Sequence, residues 1–305
     1  MREPELPGTL LQAVRYFSNL DVATEFFAQL RWPDGPVWPR CGGRGHYYLA
    51  ARRLWKCKSC KRQFSAKVGS IFEDSPLGLD KWRPAVWLTA NTKNGISSHE
   101  LARSLGITQK SAWFMLHRIL LAMRTGSFAK FDGTAEMDET YIGGEVANMH
   151  QSVRDRQQTG AGTSARPPSK EPGTVRRAQF TPRLSEKTHL AANEARWVEP
   201  GSTAYTDDSR ACYGLSPKFD HSSVRHGSEY VRGQIHTNGI ENFWSLLKRG
   251  LHGTYVSVDP AHLFRYVDER LFAYNLQDLS DLGRFTILLG NVAGNRLTYT
   301  ELRSQ

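Results

Sequence analysis

Residues His236 to Leu251 read HTNGIENFWSLLKRGL, and this stretch decides how the second half of the chain folds. Four apolar residues recur at the i, i+3, i+4, i+7 spacing of one helix face: Ile240, Phe243, Trp244 and Leu247. We expect a helix here, entered through an Asn-Gly turn that ends at Gly239. Glu241 and Lys248 are two helical turns apart, so both lie on one stripe beside the apolar face. A carboxylate held next to a core suits a metal ion and the lysine suits a phosphate, although an ordinary amphipathic helix with surface charges has the same pattern.

The charge of the chain points to a polyanionic partner. Forty Lys and Arg residues against thirty Asp and Glu give a formal net charge of +10 over 305 residues, a length that allows two or three domains. Nucleic acid is the first expectation. The sequence has no long apolar span, no signal peptide and no basic amphipathic run, so we expect a soluble intracellular protein without a membrane partner.

Three of the four cysteines lie within twenty residues and favour a metal site over a disulfide scaffold. Cys57 and Cys60 form a C-x-x-C knuckle, and Cys41 supplies a third thiolate at the distance seen in zinc ribbons. Trp38 stands where the fourth cysteine is expected. A closed zinc site has four ligands, so three thiolates must recruit His46, accept a water or bind weakly. Three free thiols in a basic hairpin is the alternative.

Residues 79–123 show the pattern of consecutive short helices. Ser97 or Ser98 is expected to cap one helix, Gly106 to make a tight turn, and Thr108 to cap a helix that runs to Met123. This pattern is typical of a helix-turn-helix unit, although many helical hairpins share it without binding DNA. Three side chains are expected on the outside of the second helix as DNA contacts: Gln109, Lys110 and Arg118.

Two further acidic residues accompany Glu241. Asp138 lies inside the strand pattern of residues 134–142, where a buried charge needs a partner such as a metal. Asp207 ends a second short strand. Each acid alone is more often a structural cap or turn residue, but three acids on two strands and a helix form an oxygen cage suited to Mg²⁺.

The segment between these acids has little pattern. Residues 150–195 are rich in Gly, Ser, Pro and charge, and we expect a linker or disorder there. A helix is expected over Pro260 to Asn275, packed against the helix that carries Glu241.

The order of these motifs resembles the zinc-ribbon group of bacterial insertion-sequence transposases of the DDE class. The resemblance rests on RWPDGPVWPRCGG (31–43), KCKSCKRQFSAKVGSIF (56–72), SSHELARSLGITQKSAWFMLHRI (97–119), MDETYIGG (137–144), YTDDSRACYGL (205–215) and HTNGIENFWSLLKRG (236–250). It implies an α/β fold class. The implied units are N-terminal helices (1–35), a zinc-ribbon-like β unit (36–75), an all-α helix-turn-helix unit (76–126), a ribonuclease-H-like catalytic domain (130–280) with a poorly patterned insert (150–195), and a C-terminal tail (281–305).

The resemblance also implies a two-metal site. It places the first acid at Asp138, the second at Asp207 and the third at Glu241, followed by the basic residue Lys248. Asn238 is the rival to Glu241, because some members of the group have an asparagine in third position. Two Mg²⁺ or Mn²⁺ ions would then support DNA strand cleavage and strand transfer at terminal inverted repeats and target DNA. Lys248 and Arg249 would position the DNA backbone, and a homodimer or larger assembly on DNA in the nucleoid of a bacterial cytoplasm is implied.

This chain departs from the group in two places. Trp38 replaces the first cysteine of the ribbon, which leaves zinc binding open. Residues 150–193 do not look like the second and third strands of the group, and their composition resembles a shifted reading frame. A decayed, catalytically inactive DNA-binding relic that recognises element ends is therefore the alternative function. A zinc-ribbon transcription factor would leave the acidic residues unexplained.

Overall fold

The computed structural model describes residues 6–124, 134–142, 160–166, 177–182, 201–207, 220–224 and 237–304. Their helices are α1 (Leu10–Phe17), α2 (Leu20–Arg31), α3 (Leu79–Asn91), α4 (Ser98–Leu105), α5 (Gln109–Met123), α6 (Asn238–Gly250), α7 (Leu263–Asn275), α8 (Asp281–Asn291) and α9 (Tyr299–Arg303). Their strands are β1 (His46–Leu49), β2 (Leu54–Cys57), β3 (Gln63–Phe64), β4 (Thr134–Ile142), β5 (Gly160–Arg166), β6 (Arg177–Pro182), β7 (Thr203–Asp207) and β8 (Asp220–Val224). The chain forms two compact units, one from residues 1–123 with 278–305 and the other from residues 124–277.

The two ends of the chain form the core of the first unit together. Residues 281–305, expected to form a C-terminal tail, instead contain α8, which packs against α3. The rings of Phe285 and Trp87 are both buried, with centroids 5.0 Å apart. The backbone N–H of Ile71 donates to the carbonyl of Val292 at 3.1 Å. The C-terminal residues therefore complete the unit that begins the chain.

A three-stranded antiparallel sheet, in the order β1-β2-β3, forms a small ribbon in the first unit. Trp55 on β2 pairs with Tyr48 on β1 and with Phe64 on β3. Trp38 is buried, and its ring lies 4.6 Å from that of Phe64. Aromatic packing therefore supplies the core of this small sheet.

The capping residues expected for α4 and α5 are present. Ser97 is the N-cap of α4, and its side chain accepts from the backbone N–H of Glu100 at 3.2 Å. Gly106 ends α4 with a φ of 62°, a left-handed conformation that glycine adopts without strain. Thr108 Oγ1 then accepts from the N–H of Ser111 at 3.3 Å. Of the two candidate caps, the structure selects Ser97.

The second unit is built on a five-stranded mixed sheet in the order β6-β5-β4-β7-β8. β4 pairs antiparallel with β5, and β5 pairs antiparallel with β6. β4 pairs parallel with β7, and β7 pairs parallel with β8. α6 contacts β4 and β5, α7 contacts β6, and the two helices contact each other, as expected for α7. Mixed sheet and helices agree with the α/β class.

Two of these strands correct the interpretation of residues 150–195. β5 and β6 both lie in the segment expected to be linker or disorder. β5 reads GAGTSAR, which has no alternation of apolar and polar residues, so pattern reasoning could not find it. Backbone pairing supplies the strand instead, because β5 is hydrogen-bonded to β4 on one side and to β6 on the other. The remaining residues of this segment lie outside the described ranges.

The apolar face predicted for α6 is confirmed, because Ile240, Phe243, Trp244 and Leu247 are all buried. The expected Asn-Gly turn before the helix is wrong. α6 begins at Asn238, so Asn238 and Gly239 belong to its first turn. The helix expected over Pro260 to Asn275 is confirmed from Leu263 to Asn275 as α7. A short 3₁₀ turn over Pro260–His262 precedes it.

Glu269 on α7 makes the stability of the second unit depend on pH. Its carboxylate is buried, and both of its oxygens accept from the hydroxyl of Tyr255, at 2.7 and 2.6 Å. Burial raises the pKa of Glu269 from 4.5 to about 7. Between these two values the folded protein holds a proton that the unfolded chain has released.

We therefore expect the free energy of unfolding to fall as pH rises from about 4.5 through about 7. Glu269→Gln, which keeps an acceptor for Tyr255 but cannot ionise, should remove roughly 2 to 3 kcal/mol of this decline. Denaturant unfolding of both proteins across this pH range measures the difference. An identical pH dependence in the two proteins would contradict the assignment.

Candidate functional site

Backbone register brings Asp138 and Asp207 together. β4 and β7 are adjacent parallel strands, paired from Thr134–Thr203 to Met137–Thr206. Asp138 and Asp207 are the next residues on their strands. Residues at the same step of neighbouring parallel strands lie on one face of the sheet, about 5 Å apart. The 69 residues between the two acids in sequence are therefore bridged by one step across the sheet.

Glu136 connects this face to the helix that carries the third acid. It is buried, and its Oε2 accepts from the backbone N–H of Ile240 in the first turn of α6, at 2.9 Å. Residues two apart on a strand share a face, so Glu136 and Asp138 lie on the same side of β4. The N-terminus of α6 is therefore held against the face to which Asp138 and Asp207 belong.

Both candidates for the third site residue lie at this end of α6. Asn238 is the first residue of the helix and Glu241 follows one turn later. Glu241 is exposed, which corrects the expectation of a carboxylate held against the core; its Oε1 accepts from the hydroxyl of Thr237 at 3.0 Å. The buried acid is Glu136 instead. Sequence analysis missed it, although its i, i+2 spacing from Asp138 on a predicted strand was a usable signal.

Two cations lie at the other end of the same helix. Lys248 is half-buried and Arg249 is exposed in the last turn of α6. Seven residues of helix separate Lys248 from Glu241, a distance of about 10 Å along the axis. Positive charge at a helix C-terminus is favourable to the helix dipole as well as to a bound phosphate.

The three residues expected to contact DNA on α5 separate into two groups. Gln109 and Lys110 are exposed in the first turn. Arg118 corrects the prediction, because only 3% of it is exposed. Its Nε donates to the carbonyl of Leu297 and its Nη2 to that of Glu73, both at 2.9 Å. Arg118 therefore holds the first unit together and does not face a ligand.

The three predicted zinc ligands do converge. Cys41, Cys57 and Cys60 have their sulfur atoms within 4.8 Å of one another, with Cys41 Sγ 3.7 Å from Cys57 Sγ and 3.6 Å from Cys60 Sγ. Within the described part of the chain, this cluster contains no fourth ligand. His46 packs its ring against Phe64 instead, at 5.1 Å.

Trp38 occupies the backbone position of the absent cysteine. The N–H of Lys61 donates to the carbonyl of Cys57 at 3.0 Å, and the N–H of Gly42 donates to the carbonyl of Trp38 at 2.9 Å. Gly42 and Lys61 also share a positive φ, at 68° and 60°. The turn that begins at Trp38 is therefore a second copy of the Cys57 knuckle, with an indole in place of the thiol.

The surroundings of the thiols fit a metal. A Cβ added to Gly43 would lie 2.8 Å from Cys57 Sγ, so this residue leaves room for the cluster. Backbone hydrogen bonds from Cys60 and Ser59 lower the pKa of the Cys57 thiol to about 7. Zinc binds thiolate rather than thiol, so the lowered pKa of Cys57 is compatible with a metal ion at this cluster.

Comparison with known proteins gives the class of this chain. Residues 130–275 match the ISXO2-like transposase domain, and residues 19–63 match the transposase zinc-ribbon domain. A protein of Halobacterium salinarum, described as an uncharacterized protein in transposable element ISH50, is 28% identical over an alignment of 261 residues that covers 79% of this chain and 86% of that relative. These matches define a transposase of the DDE type from an insertion sequence. Within that class, the chain carries two matched domains, an ISXO2-like transposase domain and a transposase zinc-ribbon domain.

Among the helices of the described residues, none combines the length and the apolar character needed to cross a membrane.

Restoring the fourth thiol should raise zinc binding. We expect Trp38→Cys to increase the zinc content per chain over wild type, because position 38 repeats the backbone of Cys57. Trp38→Ser is the matched control, since it loses the same indole packing without adding a thiolate. Elemental analysis of the purified proteins measures the ratio, with circular dichroism to verify folding. Equal zinc in the Cys and Ser variants would show that position 38 is not a ligand position.

Proposed function

We propose that this protein binds the terminal inverted repeats of its insertion sequence and, with divalent metal ions, cleaves DNA at the element ends and transfers the cut strands to target DNA. One observation carries the proposal. Asp138 and Asp207 lie at the same step of two neighbouring parallel strands, and the first turn of α6 is hydrogen-bonded to Glu136 on the same face of the sheet. The transposase domain of the family covers all of these positions.

Strand order supports a ribonuclease-H-like catalytic domain over residues 130–280. The first three strands of the second unit form an antiparallel meander, β4-β5-β6. β7 and β8 then add in parallel on the other side of β4, which makes β4 the central strand. The first acid thus lies on the central strand and the second on its parallel neighbour, as the resemblance to DDE transposases implies.

The proposed metal ligands are Asp138, Asp207 and Glu241, with Asn238 as the alternative to Glu241. Carboxylate oxygens are the ligands that Mg²⁺ and Mn²⁺ prefer, and the three positions come from rigid elements of one unit. Two such ions, when bound, would neutralise charge on the scissile phosphate and activate the attacking oxygen.

Other residues of the chain position this site and its DNA. Glu136 keeps the first turn of α6 against β4, which supports a site shared by the third ligand and the first two. Lys248 and Arg249 are proposed to hold DNA phosphates, because both present positive charge on the helix that carries Glu241. The ions and these cations together would supply the electrostatic stabilisation that phosphoryl transfer requires.

The first unit is the proposed reader of the element ends. Two short helices joined at Gly106, α4 and α5, support a helix-turn-helix unit, and Gln109 and Lys110 are exposed in the first turn of α5, where such units contact base edges. The zinc ribbon would add DNA contacts. Joining two ends in one reaction requires at least two protomers, so we propose a dimer on DNA, which the mass of the complex with end DNA tests.

Metal-dependent nicking of end DNA tests the catalytic proposal. Asp138→Ala and Asp207→Ala should each lower the rate by more than about 100-fold, because an oxygen ligand to the ions is lost, while binding of end DNA is retained. The matched control is Asp220→Ala, an exposed aspartate at the opposite end of the same sheet, paired with Thr203. It should nick at the wild-type rate.

The same assay separates the two candidates for the third ligand. If Glu241 is the ligand, Glu241→Ala abolishes nicking and Asn238→Ala slows it only moderately. The reverse order assigns Asn238. Tight binding of end DNA by the wild-type protein without any nicking in Mg²⁺ or Mn²⁺ would refute the enzyme and support a DNA-binding relic.

A further inference from the structure

The outer strand of the zinc ribbon exposes two consecutive tyrosines. Tyr47 is 59% exposed and Tyr48 is 49% exposed, on the edge strand β1. Adjacent residues of a strand lie on opposite faces, so the two rings flank the edge of the sheet from both sides. Neither ring is needed to fill the ribbon core, which Trp55, Phe64 and Trp38 occupy.

Tyr48 is the exposed end of a row of aromatic rings. Its ring centroid is 5.1 Å from that of Trp55, which is 5.9 Å from Phe64. Phe64 in turn lies 4.6 Å from Trp38. The buried members of this row fix the position of Tyr48 from behind. A planar group placed on Tyr48 would extend an existing series of ring contacts.

Tyr47 lies among cations on the opposite face. The ammonium of Lys58 is 4.7 Å from the centroid of the Tyr47 ring, and Lys56 is its cross-strand partner. An aromatic ring beside two lysines offers a planar contact and charge for an anion at the same place.

The whole ribbon is basic without interruption. Residues 35–72 contain nine Lys and Arg residues and no Asp or Glu. Four of these cations are exposed. Arg44 and Arg52 flank β1 in the sequence, and Lys58 and Lys61 lie in the knuckle that follows β2. Such a surface attracts a polyanion, and Arg53, which pairs with Asp21 of α2 at 2.6 Å, is not among these four cations.

We propose that the β1 edge of the ribbon binds unpaired DNA, with bases stacked on Tyr47 and Tyr48 and the backbone held by the surrounding cations. Bases inside a duplex have both π-faces covered by their neighbours, so exposed rings on a strand edge can stack only on bases that have left the helix. This inference rests on the proposed function for its partner, DNA, because cutting and joining at element ends produces unpaired strands next to the cut.

Fluorescence anisotropy with a labelled dT oligonucleotide of about fifteen nucleotides tests the proposal on the full-length chain. Tyr47→Leu and Tyr48→Leu should each weaken binding by about 5- to 100-fold, because one stacking contact is worth about 1–3 kcal/mol. Tyr47→Phe and Tyr48→Phe are the matched controls and should bind within about twofold of wild type. The dependence of affinity on salt should be equal in all variants, since the cations remain.

Three results would overturn the proposal: Leu variants that bind dT like wild type, Phe variants as weak as the Leu variants, or Leu variants that lose affinity for a duplex of the end sequence to the same extent. The second would assign the hydroxyls as phosphate contacts, and the third a duplex-binding surface. Both side chains are exposed, so thermal unfolding of the variants should match wild type. If the wild-type protein fails to nick end DNA, the proposed function fails while tyrosine-dependent binding of dT stands.

Discussion

A buried carboxylate at the N-terminus of a helix is the contact on which the geometry of the second unit depends. Glu136 is fully buried, and burying a charge is costly unless it is compensated. The first turn of α6 compensates it, because Ile240 donates its N–H and the helix dipole favours negative charge there. The same contact joins residues more than 100 positions apart in sequence. One hydrogen bond thus links the central strand to the helix that carries the third candidate ligand.

The two candidate metal sites of this protein are prepared in different ways. In the second unit, the pairing of strands distant in sequence places the backbones of Asp138 and Asp207 at the same step of β4 and β7, so this candidate site depends on the sheet. In the ribbon, two tight turns with the same backbone bring three sulfurs within 4.8 Å, over only twenty residues. The ribbon tolerates Trp38 in a ligand position because the indole fills the aromatic core beside Phe64.

The sequence predicted the elements that have a characteristic residue spacing, such as the apolar repeat of a helix or the spacing of cysteines in a knuckle. The buried stripe of α6, the caps Ser97 and Thr108, and the cysteine cluster follow directly from spacing. β5 could not be predicted, because its small residues carry no pattern and its order comes from strands on both sides. Arg118 was misjudged because a guanidinium is assumed to be exposed, whereas two backbone carbonyls bind it inside the first unit. The backbones of Asp138 and Asp207 are brought to neighbouring positions by the register of β4 and β7, which spacing within one strand cannot reveal.

The insertion of the second unit between the two parts of the first has a consequence for biosynthesis. Phe285 and the carbonyl of Leu297, which α3 and α5 contact, leave the ribosome only after residues 124–277 have been made. A nascent chain therefore completes its first unit last. A message interrupted anywhere within the transposase domain yields a product without a complete first unit, so a truncated copy of the gene cannot supply a competitor that is intact in this unit.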